Sequence, residues 1–110
     1  MSGHRKEKLA ELYRRVATEF LQKNISAVDF VLSITNIDLS DKLSRLKIYF
    51  SVWPDQKERD VIKSLEGLKK ELRAEVGGRV KTKFVPDIEF ILDESEKKRL
   101  KIEELLNKQK

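Results

Sequence analysis

Residues 32–52 constrain the fold of this chain more than any other stretch, because they predict two β-strands joined by a polar turn. In residues 46–52 apolar side chains alternate with Lys47, Tyr49 and Ser51 at a period of two. That period gives a strand one buried face and one face that meets solvent or a partner. Because the second strand carries a cation on its open face, that face is a candidate surface for a nucleic acid.

The rest of the chain predicts a single α+β domain around these strands. Apolar residues that repeat every three or four positions indicate helices docked on a sheet. In the first strand the alternation resumes one residue late after Thr35, which predicts a β-bulge there. The predicted elements are a helix over residues 5–23, strands over residues 28–39 and 46–53, a helix over residues 56–76, a strand over residues 80–92, and a charged helix over residues 96–110.

Local signals predict the limits of the second long helix. Asp55, with Glu58 three residues on, has the spacing of a capping box in which Asp takes the Ser/Thr place. Gly77 and Gly78 predict the end of the helix, because glycine accepts the left-handed conformation that closes many helices. Gly67 lies inside the helix and predicts a kink or a close approach of the backbone to another group.

The length of 110 residues is that of one domain. We expect residues 1–4 to be a disordered N-terminus, residues 5–95 to form the domain, and residues 96–110 to be a tail that docks, projects or frays. The chain has no cysteine, which is consistent with a reducing compartment and excludes a thiolate metal site. Without a long apolar run or an apolar signal core, the sequence predicts a cytoplasmic protein.

The sequence offers no constellation of residues for catalysis. Its one histidine, His4, lies near the start of the chain and cannot be placed as a general base. The four glycines build neither a phosphate-binding loop nor a dinucleotide fingerprint, and no histidine or cysteine spacing suits zinc. We therefore expect a protein that is not an enzyme and that uses no cofactor, metal or small-molecule substrate.

The charge is unevenly distributed along the chain. The formal net charge is +5, which favours a polyanionic partner. Residues 69–84 hold six cations against two carboxylates, whereas residues 85–96 hold five carboxylates and no cation. This polarity predicts a basic face, although solvated charges that only aid solubility remain an alternative interpretation.

The candidate RNA-binding residues lie on the hairpin, on the second long helix and just before the third strand. RNA binding requires cations at the phosphates for affinity and stacking or base-edge contacts for selectivity. Tyr49 and Trp53 share the open face of the second strand, where either could stack on a base or cover a packed helix. The candidates for phosphate contacts are Arg45, Lys47, Lys69, Lys70, Arg73, Arg79, Lys81 and Lys83.

Four motifs together resemble the ribosome-binding factor A family. The first is RVATE at residues 15–19, and the second is the hairpin of residues 32–52. The third is VPDIEF at residues 85–90, which is similar to a strand of that family. The fourth is DES at residues 93–95, which is similar to the motif that closes this strand. Each motif alone is weak, but their order and spacing make the resemblance specific over roughly residues 5–106.

The resemblance implies a KH-like α+β fold of type II, with a three-stranded sheet packed on helices. It also implies a monomeric, non-enzymatic assembly factor of the small (30S) ribosomal subunit, important for growth in the cold. The family contacts 16S rRNA and promotes its late maturation, including 5′-end processing. A kinked helix marked A-x-G replaces the usual G-x-x-G loop of KH domains, and this chain has Leu65-Glu66-Gly67 where A-x-G is expected.

Two other functions stay open at this point. One is a generic KH-like binder of single-stranded RNA, which would bind arbitrary oligonucleotides with comparable affinity. The other is a protein-interaction module without nucleic acid, which would use Trp53 and the C-terminal helix. A membrane partner is not expected, because carboxylates on the first helix would face an anionic surface.

Overall fold

A three-stranded mixed sheet organises the molecule, and the computed structural model describes residues 2–108. Strands β1 and β2 pair antiparallel, and β2 and β3 pair parallel, in the order β1-β2-β3. The elements are α1 (Ser2–Asn24), β1 (Val31–Leu39), β2 (Arg45–Trp53), a short 3-10 turn (Asp55–Lys57), α2 (Glu58–Arg79), β3 (Asp87–Leu92) and α3 (Ser95–Lys108).

The hairpin has the alternation and the bulge that the sequence predicts. In β2 every second residue is buried, and the residues between them are half-buried or exposed. The register of β1 on β2 shifts between Ile34 and Asn36, so Thr35 is the extra residue of a β-bulge. The bulge keeps the apolar side chains of both halves of β1 on the core side. The buried residues of β2 are Leu46, Ile48, Phe50 and Val52.

Helices α1 and α2 share one apolar core with the buried face of β2. Tyr13 and Ala17 of α1 are fully buried, as are Leu65 and Leu72 of α2. Helix α1 begins at Ser2, so helical structure extends into the segment expected to be disordered; Met1 lies outside the described residues. The opposite face of the sheet lies outside this shared core, and Lys47, Tyr49 and Ser51 at the centre of β2 are half-buried there.

Both predicted limits of α2 are wrong. Asp55 starts a 3-10 turn rather than capping the helix, and Lys57 at the N-cap makes no side-chain capping bond. The helix continues through Gly77 and Gly78 to Arg79, because Val76 and Val80, four residues apart, both bury their side chains. No glycine in the described residues has a positive φ.

Gly67 lies within an uninterrupted helix rather than at a break. Helix α2 is one continuous α-helix from Glu58 to Arg79. Apart from the adjoining backbone of α2 itself, a Cβ placed on Gly67 would meet no atom of the described residues within 4 Å, so the close approach that the sequence allowed is absent. At Gly77, by contrast, a Cβ would lie 3.0 Å from Cγ2 of Val85.

The third strand begins seven residues later than the sequence predicts. Residues 81–86 belong to no helix or strand, and β3 starts at Asp87, after the buried Pro86. Proline has no backbone N–H to donate to a ladder, which makes it a natural boundary for a strand. We call residues 80–86 the basic loop, since they include Lys81 and Lys83.

Helix α3 is held at its first turn and exposed beyond it. The Lys97 ammonium pairs with the carboxylates of Asp55 and Glu58, which ties α3 to the start of α2. Every residue from 98 to 108 is exposed. Of the three outcomes left open for this tail, docking therefore applies to its start and projection to residues 98–108, while residues 109 and 110 lie outside the described residues. None of the helices within residues 2–108 has a length and apolar character sufficient for a membrane span.

Candidate nucleic-acid interface

The hairpin turn and the basic loop lie at the same end of the sheet. Strand β3 runs parallel to β2, so Asp87 begins beside Arg45, and its backbone N–H donates to the carbonyl of Ser44 at 2.9 Å. We call this end, with the turn of residues 40–44 and the basic loop, the basic edge. The other end of β2, at Trp53, is about 26 Å away, given a rise of about 3.3 Å per residue.

Hydrogen bonds to Ser40 shape the turn of the basic edge. The Ser40 hydroxyl accepts the backbone N–H groups of Ser44 and Arg45, each at 3.0 Å. Leu43 adopts a left-handed conformation with φ 59°, and Lys42 beside it in the turn is exposed. The Lys6 ammonium of α1 donates to the Asp41 carboxylate at 2.7 Å, and this hydrogen bond lowers the pKa of Asp41.

The two hairpin candidates are balanced by carboxylates. Lys47 is half-buried, and its cross-strand neighbours are Asp38 on β1 and Glu89 on β3. The Arg45 guanidinium lies 4.0 Å from the Glu89 carboxylate. Opposite charges on adjacent strands attract one another, so the centre of the open face carries little free positive charge.

The candidates on α2 separate into paired and free side chains. Lys69 donates to Glu66 at 3.1 Å, one turn away. Lys70 is exposed and makes no ion pair within the described part of the chain. Arg79 pairs with Glu19 of α1 at 2.8 Å and with Glu75 at 3.8 Å, so it joins the two helices.

Arg73 clamps the basic loop to α2. Its Nη2 donates to the carbonyl of Val85 at 3.0 Å, and its Nε donates to the carbonyl of Pro86 at 3.3 Å. The same guanidinium lies 3.6 Å from the Asp87 carboxylate. Arginine suits this position because its planar group presents several donors in a fixed geometry. Arg73 therefore commits two of its five N–H donors to support of the loop, which reduces what it can offer a ligand.

Lys81 and Lys83 are the candidates that the fold leaves most available. Both side chains are exposed in the basic loop, and neither makes an ion pair within residues 2–108. Of the eight predicted residues, the basic edge brings together Arg45, Arg73, Lys81 and Lys83. Lys69 and Lys70 lie farther along α2, and Arg79 faces α1.

Sequence reasoning missed two residues at this edge, Lys42 and Phe84. The Phe84 ring is 71% exposed in the basic loop, and the Lys83 ammonium lies 5.5 Å from its centroid. Because the sequence analysis assigned residues 80–92 to one strand, it treated Phe84 as one of the alternating residues of that strand and not as an exposed loop residue. The signal that could have found it is Pro86, which separates Phe84 from the strand.

Tyr49 and Trp53 lie on the open face, as predicted, but in different surroundings. Tyr49 is half-buried between its neighbours Asn36 and Ile91. Trp53 is 72% exposed at the end of β2 and, with Val31 and Leu100, lines a groove of about 570 Å³. Four carboxylates and one ammonium also line this groove, which therefore has acidic character. They belong to Asp55, Glu58, Asp93, Glu96 and Lys97.

The element order around a mixed three-stranded sheet defines this protein as a KH-like α+β domain. The sequence profile of the family described as "Ribosome-binding factor A" matches residues 5–106. The chain belongs to the ribosome-binding factor A family.

Curated relatives agree with this assignment. Ribosome-binding factor A of Natranaerobius thermophilus is 37% identical over 98 residues, which cover 86% of this chain and 74% of the relative. The protein of the same name from Halothermothrix orenii is 32% identical over an alignment of 115 positions, which covers all of this chain and 92% of the relative.

Solved structures resemble the fold. The crystal structure of ribosome-binding factor A from Thermus thermophilus aligns with a TM-score of 0.68 at 23% identity, over 79% of this chain and 93% of that one. A second set of Thermus thermophilus coordinates is a homology model fitted into a cryo-EM map of a 30S complex with that factor. It aligns with a TM-score of 0.66 at 22% identity, with the same shares covered.

Proposed function

We propose that this protein binds the small ribosomal subunit through 16S rRNA and promotes late maturation of that rRNA, including processing of its 5′ end. The observation that carries the proposal is the family match over residues 5–106. The Thermus thermophilus relative fitted into a map of a 30S complex supports the small subunit as the partner. In this role the protein acts in the cytoplasm as a monomer, without a catalytic step or cofactor.

The basic edge is the proposed RNA-binding surface. Lys81 and Lys83 contact phosphates directly, since both are exposed and neither is paired with a carboxylate in the described residues. Lys42 in the turn and Lys70 farther along α2 are also exposed and extend the surface from those two elements. Arg45, Lys47, Lys69, Arg73 and Arg79 contribute mainly through the positive field and by holding the surface in place. Their carboxylate neighbours reduce what each can offer a phosphate.

Sedimentation with ribosomal particles tests the partner. Purified protein is mixed at moderate salt with separated small subunits, large subunits or intact ribosomes. We expect selective co-sedimentation with free small subunits. Equal binding to all three particles would instead support a generic RNA binder. In cells depleted of the protein, 16S rRNA with an unprocessed 5′ end should accumulate.

A charge-reversal pair tests the surface. Lys81→Glu together with Lys83→Glu should weaken binding and reduce the slope of log K against log salt by about 0.7 to 0.9 for each lost phosphate contact. Lys98→Glu together with Lys101→Glu on the projecting helix makes the same change in net charge and is the matched control. If both pairs weaken binding equally, only net charge matters and the basic edge is not the site.

The acidic groove beside Trp53 favours a protein contact as a second function. Its apolar residues and carboxylates suit a partner segment that carries apolar and basic side chains, and the same carboxylates repel RNA. Such binding would survive nuclease treatment. Trp53→Ala should weaken it while leaving RNA binding intact, and loss of RNA binding in this variant would contradict the division of roles.

A further inference from the structure

Two aromatic rings in the described residues project strongly into solvent, and their surroundings have opposite charge. Phe84 is 71% exposed and Trp53 is 72% exposed. Acidic side chains predominate around Trp53, which lies at the groove end of β2. Phe84 lies at the basic edge, between the exposed Lys83 and the end of the basic loop. The two rings are equally exposed, but the side chains around them differ in charge. Of the two, Phe84 is therefore the ring suited to a polyanion.

One of the two lysines of the basic loop lies against the Phe84 ring. The Lys83 ammonium lies over the ring, 5.5 Å from its centroid, which is within the range of a cation–π contact. Lys81 is exposed three residues earlier in the same loop. The apolar ring therefore has one cation against it and a second in the same loop, and neither cation has a carboxylate partner within residues 2–108.

The backbone that carries Phe84 is fixed on both sides. The Thr82 hydroxyl donates to the carbonyl of Phe84 at 2.8 Å. The next residue, Val85, has its carbonyl held by Arg73 at 3.0 Å, and its side chain packs against Gly77. A ring presented from a fixed loop loses less conformational entropy on binding than one on a free segment.

We infer that Phe84 is a stacking platform for an unpaired RNA base, with Lys81 and Lys83 on the phosphates that flank this base. An aromatic ring recognises the face of an unpaired base, which a base in a continuous duplex does not expose. The inference rests on the proposed function and deepens it, because it names the class of RNA that the basic edge takes. The site therefore selects single-stranded segments, loops or bulges of RNA over regular duplex.

Short RNAs of matched charge test the inference. The probes are a single-stranded RNA of about ten nucleotides and a fully paired RNA duplex with the same number of phosphates. Phe84→Ala should lower affinity for the single strand by roughly 5- to 100-fold and change duplex affinity little. The salt slope should stay unchanged, since no counterion-releasing contact is lost. Phe84→Tyr should restore most of the affinity, and Trp53→Ala is the matched control for removal of an exposed ring.

A fluorescence variant keeps the test independent of any loss of folding. In Phe84→Trp combined with Trp53→Phe, the only tryptophan lies in the basic loop, and stacking of a base should quench its emission. Unquenched emission at saturating single-stranded RNA would overturn the inference, as would equal affinity of the wild type and Phe84→Ala.

Binding to small subunits, measured for the wild type and for Phe84→Ala, distinguishes a failure of this inference from a failure of the proposed function. If the wild type binds neither small subunits nor RNA, both fail. If it binds them and Phe84→Ala binds equally well, the stacking platform fails and the proposed function stands.

Discussion

The Thr35 hydroxyl donates a hydrogen bond to the Asp93 carboxylate at 2.6 Å, which joins the bulge of β1 to the start of α3 across 58 residues of sequence. The bulge makes this contact possible, because it leaves Thr35 outside the β1–β2 register. Asp93 also accepts bonds from the hydroxyl and the backbone N–H of Ser95, the first residue of α3. The DES segment of residues 93–95 is thus the anchor of the last helix.

This anchor predicts a specific acid sensitivity. The hydrogen bonds from Ser95 and Thr35 lower the pKa of Asp93 from 3.8 to about 2. A carboxylate with a lowered pKa stabilises the fold fully above its unfolded pKa, and this stabilisation is lost as the pH falls from about 4 towards 2. Asp93→Asn should therefore lower Tm at neutral pH. The difference in Tm between this variant and the wild type should disappear below about pH 3. A gap that stays constant over this window would contradict the assignment.

The buried hydroxyl of Tyr13 predicts a stabilising substitution. Tyr13 is fully buried, and its hydroxyl has no hydrogen-bond partner within the described residues. A buried polar group without a partner keeps its desolvation penalty, so Tyr13→Phe should raise the free energy of unfolding by about 1 kcal/mol. Urea unfolding with an unchanged m-value measures this. Tyr49→Phe on the open face is the control, and a destabilised Tyr13→Phe would show that the hydroxyl is satisfied.

Two glycines of α2, Gly67 and Gly77, predict different responses to substitution by alanine. Gly67→Ala should stabilise the protein by about 0.5 to 1 kcal/mol, because alanine has the higher helix propensity and the site has open space. Gly77→Ala should gain less or destabilise, since the new Cβ would lie 3.0 Å from Cγ2 of Val85. Thermal melts of the two variants make the comparison. Destabilisation by Gly67→Ala would mean that the helix requires glycine at this point.

The contacts of Arg73 with the basic loop predict that a substitution which keeps the charge but changes the geometry lowers the stability of the protein. Arg73→Lys keeps the cation but cannot reproduce both bonds to the carbonyls of Val85 and Pro86. We expect a loss of about 1 kcal/mol in stability and faster amide hydrogen exchange in the basic loop. Lys70→Ala, one turn earlier and exposed, should change neither. Unchanged exchange in Arg73→Lys would show that the loop is held by other contacts.

Much of the fold could be predicted from the sequence because its signals are local and strong. The alternation in β2 follows directly from burial of one face, and the late resumption after Thr35 indicated the bulge. The limits of α2 and β3 could not be predicted in the same way. Local signals at Asp55, Gly77 and Gly78 were overridden by a 3-10 turn and by the burial of Val80.

The candidate site was less predictable, because a sequence gives charges but not their partners. Arg79 pairs with Glu19, 60 residues away in the sequence, and Arg73 uses two of its donors on the carbonyls of the basic loop. Lys47 lies between carboxylates on two other strands. Only the tertiary structure distinguishes these cations from Lys81 and Lys83, and only the start of β3 at Asp87 separates Phe84 from the sheet.

The bulge at Thr35 also governs what the outer edge of β1 can join. A straight strand from a second molecule needs a regular ladder of backbone groups, and the register change interrupts it. Asp38 on β1 and Glu89 on β3 place a carboxylate on each outer strand, so like charges would meet if two sheets aligned edge to edge. The bulge and these carboxylates therefore disfavour the addition of a fourth strand at either outer edge of the sheet.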